Sequence, residues 1–168
     1  MNCPKIAREG WSRIFVIFTA SVVSTILFGS FVSIPLWIIL LLTLQFFRDP
    51  DRSIPDIENG IVSPAHGKVV SISQKNDPFT GEKTKRISIF MNIFSVHSNR
   101  IPISGRIKNR EHFQGQFLNA SIEKASDQNE RCAIQIETRS GSTVSCVQIA
   151  GLVARRILTY VNIGDHVS

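Results

Sequence analysis

Cysteine is scarce and poorly spaced for chemistry: Cys3, Cys132 and Cys146 are the only three, and no CxxC pair occurs. That usage fits a reducing compartment and excludes a disulfide framework or a zinc ribbon. The four histidines, His66, His97, His112 and His166, fall in no HxH or HxxxD arrangement, so a metallopeptidase lacks its ligands. No basic run is interleaved with aromatics, which sets nucleic-acid binding aside. Internal repeats and low-complexity tracts are missing as well. The most telling absence is of charge: from Ile14 to Phe47 there is no Asp, Glu, Lys, Arg or His.

That uncharged run belongs in a membrane. As one straight helix it would reach roughly 51 Å, against a hydrocarbon core of about 30 Å that about 20 residues span. A cleaved signal peptide needs a shorter apolar region and a small-residue cleavage site, which Phe46-Phe47-Arg48-Asp49-Pro50 does not supply. The stretch Phe28-Gly29-Ser30-Phe31-Val32-Ser33-Ile34-Pro35 carries breakers in its middle, so two apolar arms in a helical hairpin are expected. Whether the hairpin crosses the bilayer or re-enters it stays open.

Charge orients the arms. Lys5, Arg8 and Arg13 precede the run and Arg48 and Arg52 follow it, so both ends fall on the cytoplasmic side. Against Glu9, the first three account for +2 of the net charge of +6, leaving +4 beyond residue 47. A modest basic excess favours contact with an anionic leaflet. The chain thus divides into a basic N-terminus at 1–13, a membrane hairpin at 14–47 and a globular part at 48–168. Its expected location is the cytoplasmic face of the cell membrane.

Beyond the hairpin the apolar period shortens to two. Runs 86–94, 132–137 and 143–149 read as half-buried strands, punctuated by Gly and Pro at intervals typical of a small antiparallel sandwich or barrel. Ser140-Gly141 is the clearest hairpin turn. Residues 150–159 are ambiguous between helix and buried strand, and within them Arg155 or Arg156 is expected to reach a carboxylate or the membrane interface. Cys132 and Cys146 are expected in the core, and His112 and His166 at the surface.

On the segments 46–50, Val62-Ser63-Pro64-Ala65-His66-Gly67-Lys68-Val69, 90–105, Phe117-Leu118-Asn119-Ala120, Lys124-Ala125-Ser126, Asn129-Glu130-Arg131 and 148–157, the chain resembles short-form phosphatidylserine decarboxylase proenzymes. The resemblance implies a flattened, lipoyl-carrier-like barrel with its active site at the membrane-facing edge. It also implies a carboxy-lyase of phospholipid biosynthesis that turns phosphatidylserine into phosphatidylethanolamine and CO2. In that family a Gly-Ser pair is cleaved to leave a pyruvoyl group on a new small chain. That group forms a Schiff base with the substrate amine and acts as an electron sink.

Site residues follow from the same resemblance, position by position. His97 matches the histidine that assists proton transfer, work suited to an imidazole; on residue type alone, a structural histidine is the competing reading. His66 stands where the family usually has Asp, so it acts as a base itself, or cleavage is slow or lost. Arg100, where long-form relatives carry a second histidine, suits a lipid phosphate or carboxylate, or an ordinary surface ion pair. Asn119, Lys124 and Arg131, with Ser126 and Asn129, form a polar cluster suited to a head group or to a solvated loop.

The last residues, Gly164-Asp165-His166-Val167-Ser168, stop before a family-like Gly-Ser site. The resemblance therefore predicts a C-terminally incomplete domain that is inactive alone, its partner being the small pyruvoyl-bearing chain. Truncated, split and noncatalytic forms stay open, the last as a membrane-anchored phospholipid-binding relative. Homo-oligomerisation is left open too.

Overall fold

The computed structural model describes residues 6–55, 57, 60–119 and 125–168. It divides into two compact units. The first comprises Met1–Ile54, Ala65–Gly67 and Met91–Asn99; the second comprises Pro55–Pro64, Lys68–Phe90 and Arg100–Ser168.

In the first unit the uncharged run forms helix α1 (Trp11–Phe28) and helix α2 (Ser30–Phe46). The chain reverses at Gly29 alone, whose φ of 80° lies where a side chain is strained. Pro35 does not break the chain. It sits inside α2, near enough to the N-terminus that one backbone donor is lost and the helix continues. Small polar residues let the arms approach: Ser21 and Ser33 are fully buried, and the Thr25 hydroxyl donates to Ser33 Oγ at 2.9 Å. Trp37 Nε1 donates to Thr25 Oγ1 at 3.2 Å, and its ring meets Phe18 edge-on at 6.0 Å. The outward surface is mostly apolar, with Phe15, Ile26, Phe31 and Leu41 exposed. The segment Arg8–Phe28 is long and apolar enough to cross a membrane by length and composition; α2 is shorter.

The second unit is antiparallel. Strands β1 (Lys68–Asn76) and β2 (Lys83–Phe90) form a hairpin. Asp77 shapes its turn by accepting the N–H groups of Phe79 and Thr80. A four-stranded sheet runs β5 (Thr143–Ile149), β4 (Arg131–Glu137), β3 (Gly105–Phe113), β6 (His166–Val167). Strand β4 is central and almost wholly buried; Cys132, Ile134 and Ile136 join Ile107 as the core, and Ile101, Ile103, Ile157, Val161 and Val167 pack against them. A short helix α3 (Ala125–Gln128) precedes β4.

Two expectations change here. The strand expected over 86–94 ends at Phe90, because the chain then leaves the sheet and joins the first unit. Residues 150–159 form neither helix nor strand: a tight turn from Gly151 to Ala154 interrupts the backbone, while Ile157 still packs inward. Arg155 has its guanidinium 5.6 Å from the Phe117 ring centroid and donates to the Leu152 carbonyl. The Ser140-Gly141 turn forms as expected, with Gly141 at φ 83°. Cys132 is buried, and burial followed by its neighbour Cys132 pushes the Cys146 thiol up to about 11.

Candidate active site around His97

The end of the apolar hairpin is where the surroundings of His97 are assembled. As α2 ends, Phe46 and Phe47 turn their rings edge to face at 5.1 Å. Phe47 is fixed from the opposite arm. Its carbonyl accepts the Ala7 N–H at 2.7 Å, Arg13 lies over its ring at 5.4 Å, and Gly10 is pressed so close that an added Cβ would lie 2.6 Å from Phe47 Cβ. With Phe47 held, Phe46 presents a flat face to the segment Met91–Asn99.

That segment is shaped by a β-turn. Ser95 N–H donates to the Asn92 carbonyl at 2.9 Å, Phe94 N–H donates to Asn92 Oδ1, and Asn92 N–H donates to Ser95 Oγ. Two arginines from the end of α2 then clamp it. Arg48 Nη2 donates to the Phe94 carbonyl at 2.9 Å and Arg52 Nη2 to the Ser98 carbonyl at 2.6 Å. Val96 is buried, which directs its neighbour His97 towards Phe46.

The His97 ring stacks on Phe46 with centroids 4.2 Å apart and planes 28° from parallel. Its Nδ1 lies 2.9 Å from the Ser95 carbonyl. A carbonyl only accepts, so Nδ1 carries the proton of the neutral ring and Nε2 holds the lone pair. Burial lowers the His97 pKa below its ordinary value, with the Ser95 carbonyl opposing in part. The neutral base is thus the resting form at pH 7. Two residues on, Asn99 Oδ1 is buried without a hydrogen-bond partner among the described residues. Such an orphaned acceptor calls for a donor from outside.

The other expected site residues fall as follows. His66 is exposed within Ala65–Gly67, in the same unit, while Phe46 stacks on the His97 ring and the Ser95 carbonyl meets its Nδ1. Arg100, Asn119 and Arg131 belong to the second unit. Arg100 is exposed, with its backbone N–H bound to the Pro64 carbonyl, and Asn119 is exposed. Arg131 lies 4.6 Å from the Phe113 centroid and donates to the Asp127 carbonyl. Lys124 lies outside the described residues. Asn129, grouped with them on sequence, is instead a structural clamp. It is fully buried, and its amide bonds Leu118 N–H, the Leu118 carbonyl and the Ala150 carbonyl. Asp127 takes the Lys75 ammonium at 2.9 Å, which holds its carboxyl below the usual range, and exposed His112 faces Glu130 at 3.2 Å. Among the described residues no group of His, Cys, Asp and Glu is arranged for a metal.

Sequence reasoning missed Phe46, Arg48, Arg52 and Asn99 as parts of the site. Phe46, Arg48 and Asn99 lie in the 46–50 and 90–105 segments and Arg52 just beyond the first, but pattern alone does not say which residues touch.

Comparison with known proteins agrees with these segments. The family described as phosphatidylserine decarboxylase matches residues 39–168. A phosphatidylserine decarboxylase proenzyme of Cupriavidus metallidurans is 49% identical over 166 residues, covering 98% of this chain and 76% of the relative. Proenzymes of the same name from Nitrosomonas eutropha and Burkholderia vietnamiensis are each 47% identical over 165 residues, covering 98% of this chain and 76% and 77% of those proteins.

Proposed function

The chain belongs to the phosphatidylserine decarboxylase family, and on that premise we propose that His97 is the proton-transfer residue of the reaction, working through Nε2. The family's reaction is a carboxy-lyase step. It removes the serine carboxyl of phosphatidylserine as CO2, consumes a proton and leaves phosphatidylethanolamine.

Support comes from the orientation of one ring. The Ser95 carbonyl holds the Nδ1 proton, Phe46 fixes the ring plane, and burial keeps the ring neutral. Nε2 is left to take a proton from the substrate ammonium, which frees the amine as a nucleophile. The same Nε2 then returns that proton to the carbon from which the carboxyl left. The product amine takes its own proton from water. Asn99 Oδ1, buried without a partner, suits the ammonium or amine N–H.

The proenzyme name of the relatives points to a protein-derived pyruvoyl group. The residues present fit it, since a neutral imidazole and an orphaned amide oxygen provide proton transfer and amine recognition without placing a fixed charge beside a ketone. When bound, its carbonyl supplies the electron sink for the pair released from the carbon–carboxyl bond.

Arg100, Asn119, Lys124 and Arg131 are assigned to the phosphate and carboxylate of the head group, for which amide and cationic donors are suited. His66 is assigned to proenzyme cleavage. Helices α1 and α2 are read as a bilayer hairpin, supported by their uncharged, outward apolar surface and by the arginines at its open end. Antiparallel pairing of the named strands of the second unit supports the flattened, lipoyl-carrier-like barrel as its fold.

The test is release of CO2 from carboxyl-labelled phosphatidylserine by membranes in which this chain is produced together with the small pyruvoyl-bearing chain, with and without His97→Gln. Loss of a general acid–base group costs about 10²- to 10⁴-fold. Full activity in that variant, at unchanged protein level, would remove His97 from the mechanism.

A further inference from the structure

The turn that precedes His97 has an unusual tip. Turn corners favour Gly, Pro, Asn, Asp and Ser, yet the two central residues here are Ile93 and Phe94, exposed at 51% and 58%. The hydrogen bonds that shape the turn come from the side chains of Asn92, Ser95 and Arg48.

Three backbone groups of the turn are satisfied within the protein. Phe94 N–H is taken by Asn92 Oδ1, Ser95 N–H by the Asn92 carbonyl, and the Phe94 carbonyl by Arg48. A turn facing water has no need of this, because water satisfies such groups. A turn entering a lipid interface does need it, since unsatisfied backbone groups there are costly. Arg48 adds the position: it follows the last residues of α2 and binds the tip directly, so the turn adjoins the open end of the apolar hairpin. At that same end sit Trp11, exposed, and the cations Arg13, Arg48 and Arg52, a composition typical of the membrane–water boundary.

We propose that Ile93 and Phe94 form a membrane-inserting tip that enters the head-group and upper acyl region of the bilayer, continuing the lipid-facing surface of α1 and α2. Held there, the tip sets the following residues, His97 and Asn99, at the depth where a phospholipid head group lies, without the lipid having to leave the bilayer. The inference rests on the membrane-hairpin reading above, and its test separates the two.

The experiment uses the full chain reconstituted in vesicles of phosphatidylcholine and phosphatidylglycerol, with and without lipid brominated on the upper acyl chain. One variant, Trp11→Phe, keeps Trp37 as the reporter of the hairpin. A second, Trp11→Phe with Trp37→Phe and Phe94→Trp, reports the tip. The proposal expects blue-shifted emission from the tip reporter and loss of most of that emission to brominated lipid. Quenching of Trp37 but water-like, unquenched emission from the tip overturns the insertion while leaving the hairpin in the membrane. Absence of quenching at both positions overturns both readings. Ile93→Trp in the same background serves as the second tip variant, read in the same way, should Phe94→Trp fail to fold.

Discussion

Replacing Phe46 by alanine tests whether the stack on His97 is what keeps the imidazole neutral. Full Phe→Ala truncation in a core costs about 3–5 kcal/mol, and Phe46 is only half-buried, so a loss of about 2 kcal/mol is expected, including the ring stack. The larger consequence is electrostatic. Burial is the first cause of the lowered His97 pKa, with the Ser95 carbonyl working against it. Removing the Phe46 ring admits water to one face of the imidazole, so the pKa rises towards its ordinary 6.5. The protonated fraction at neutral pH then increases and the acid limb of activity moves to higher pH. Stability follows with a definite sign. Because the folded pKa lies below the unfolded one, the contribution of neutral His97 is full above pH 6.5 and is lost as pH falls through the folded value. In the Phe46→Ala protein this pH dependence shrinks. Titration of the His97 ring protons by NMR in detergent, assigned by their loss in His97→Asn, measures the shift directly. A His97 pKa at or above 6.5 in the unaltered protein, or one indifferent to Phe46→Ala, would refute the reasoning.

Other consequences are simpler to check. Asn129→Leu strands the Leu118 and Ala150 backbone groups in a buried site; at about 1–3 kcal/mol per unmet group, thermal melting should show a loss of about 3 kcal/mol or more. Gly29→Val forces a branched side chain into a positive-φ reversal, and a cost of about 1–2 kcal/mol should appear as easier proteolysis between the helices. Cys146, with its thiol pushed up to about 11, should resist a maleimide at pH 8 in the native protein and react once unfolded; rapid native labelling would contradict its burial.

Much of this architecture is legible in the residues. An uncharged run from Ile14 to Phe47 has few places to go, and strand β5 follows from apolar Val144 and Cys146 alternating with polar Thr143 and Ser145. Strand β3 was not legible. Gly105–Phe113 is mostly polar, with Ile107 its only buried side chain, so it is held by pairing with β4 rather than by an apolar face of its own. The site divides in the same manner. His97 was marked by the segment around it, whereas its contacts with Phe46 and the arginine clamps on Phe94 and Ser98 join residues 46 or more positions apart. Asn129 was misassigned because an amide that binds a ligand and one that binds backbone look alike until burial distinguishes them.

Nitrogen-15 NMR of the His97 ring at pH 7 tests the central claim most directly. The account predicts a neutral ring with a protonated Nδ1 and a bare Nε2. A ring protonated on both nitrogens, or the opposite tautomer, would contradict it.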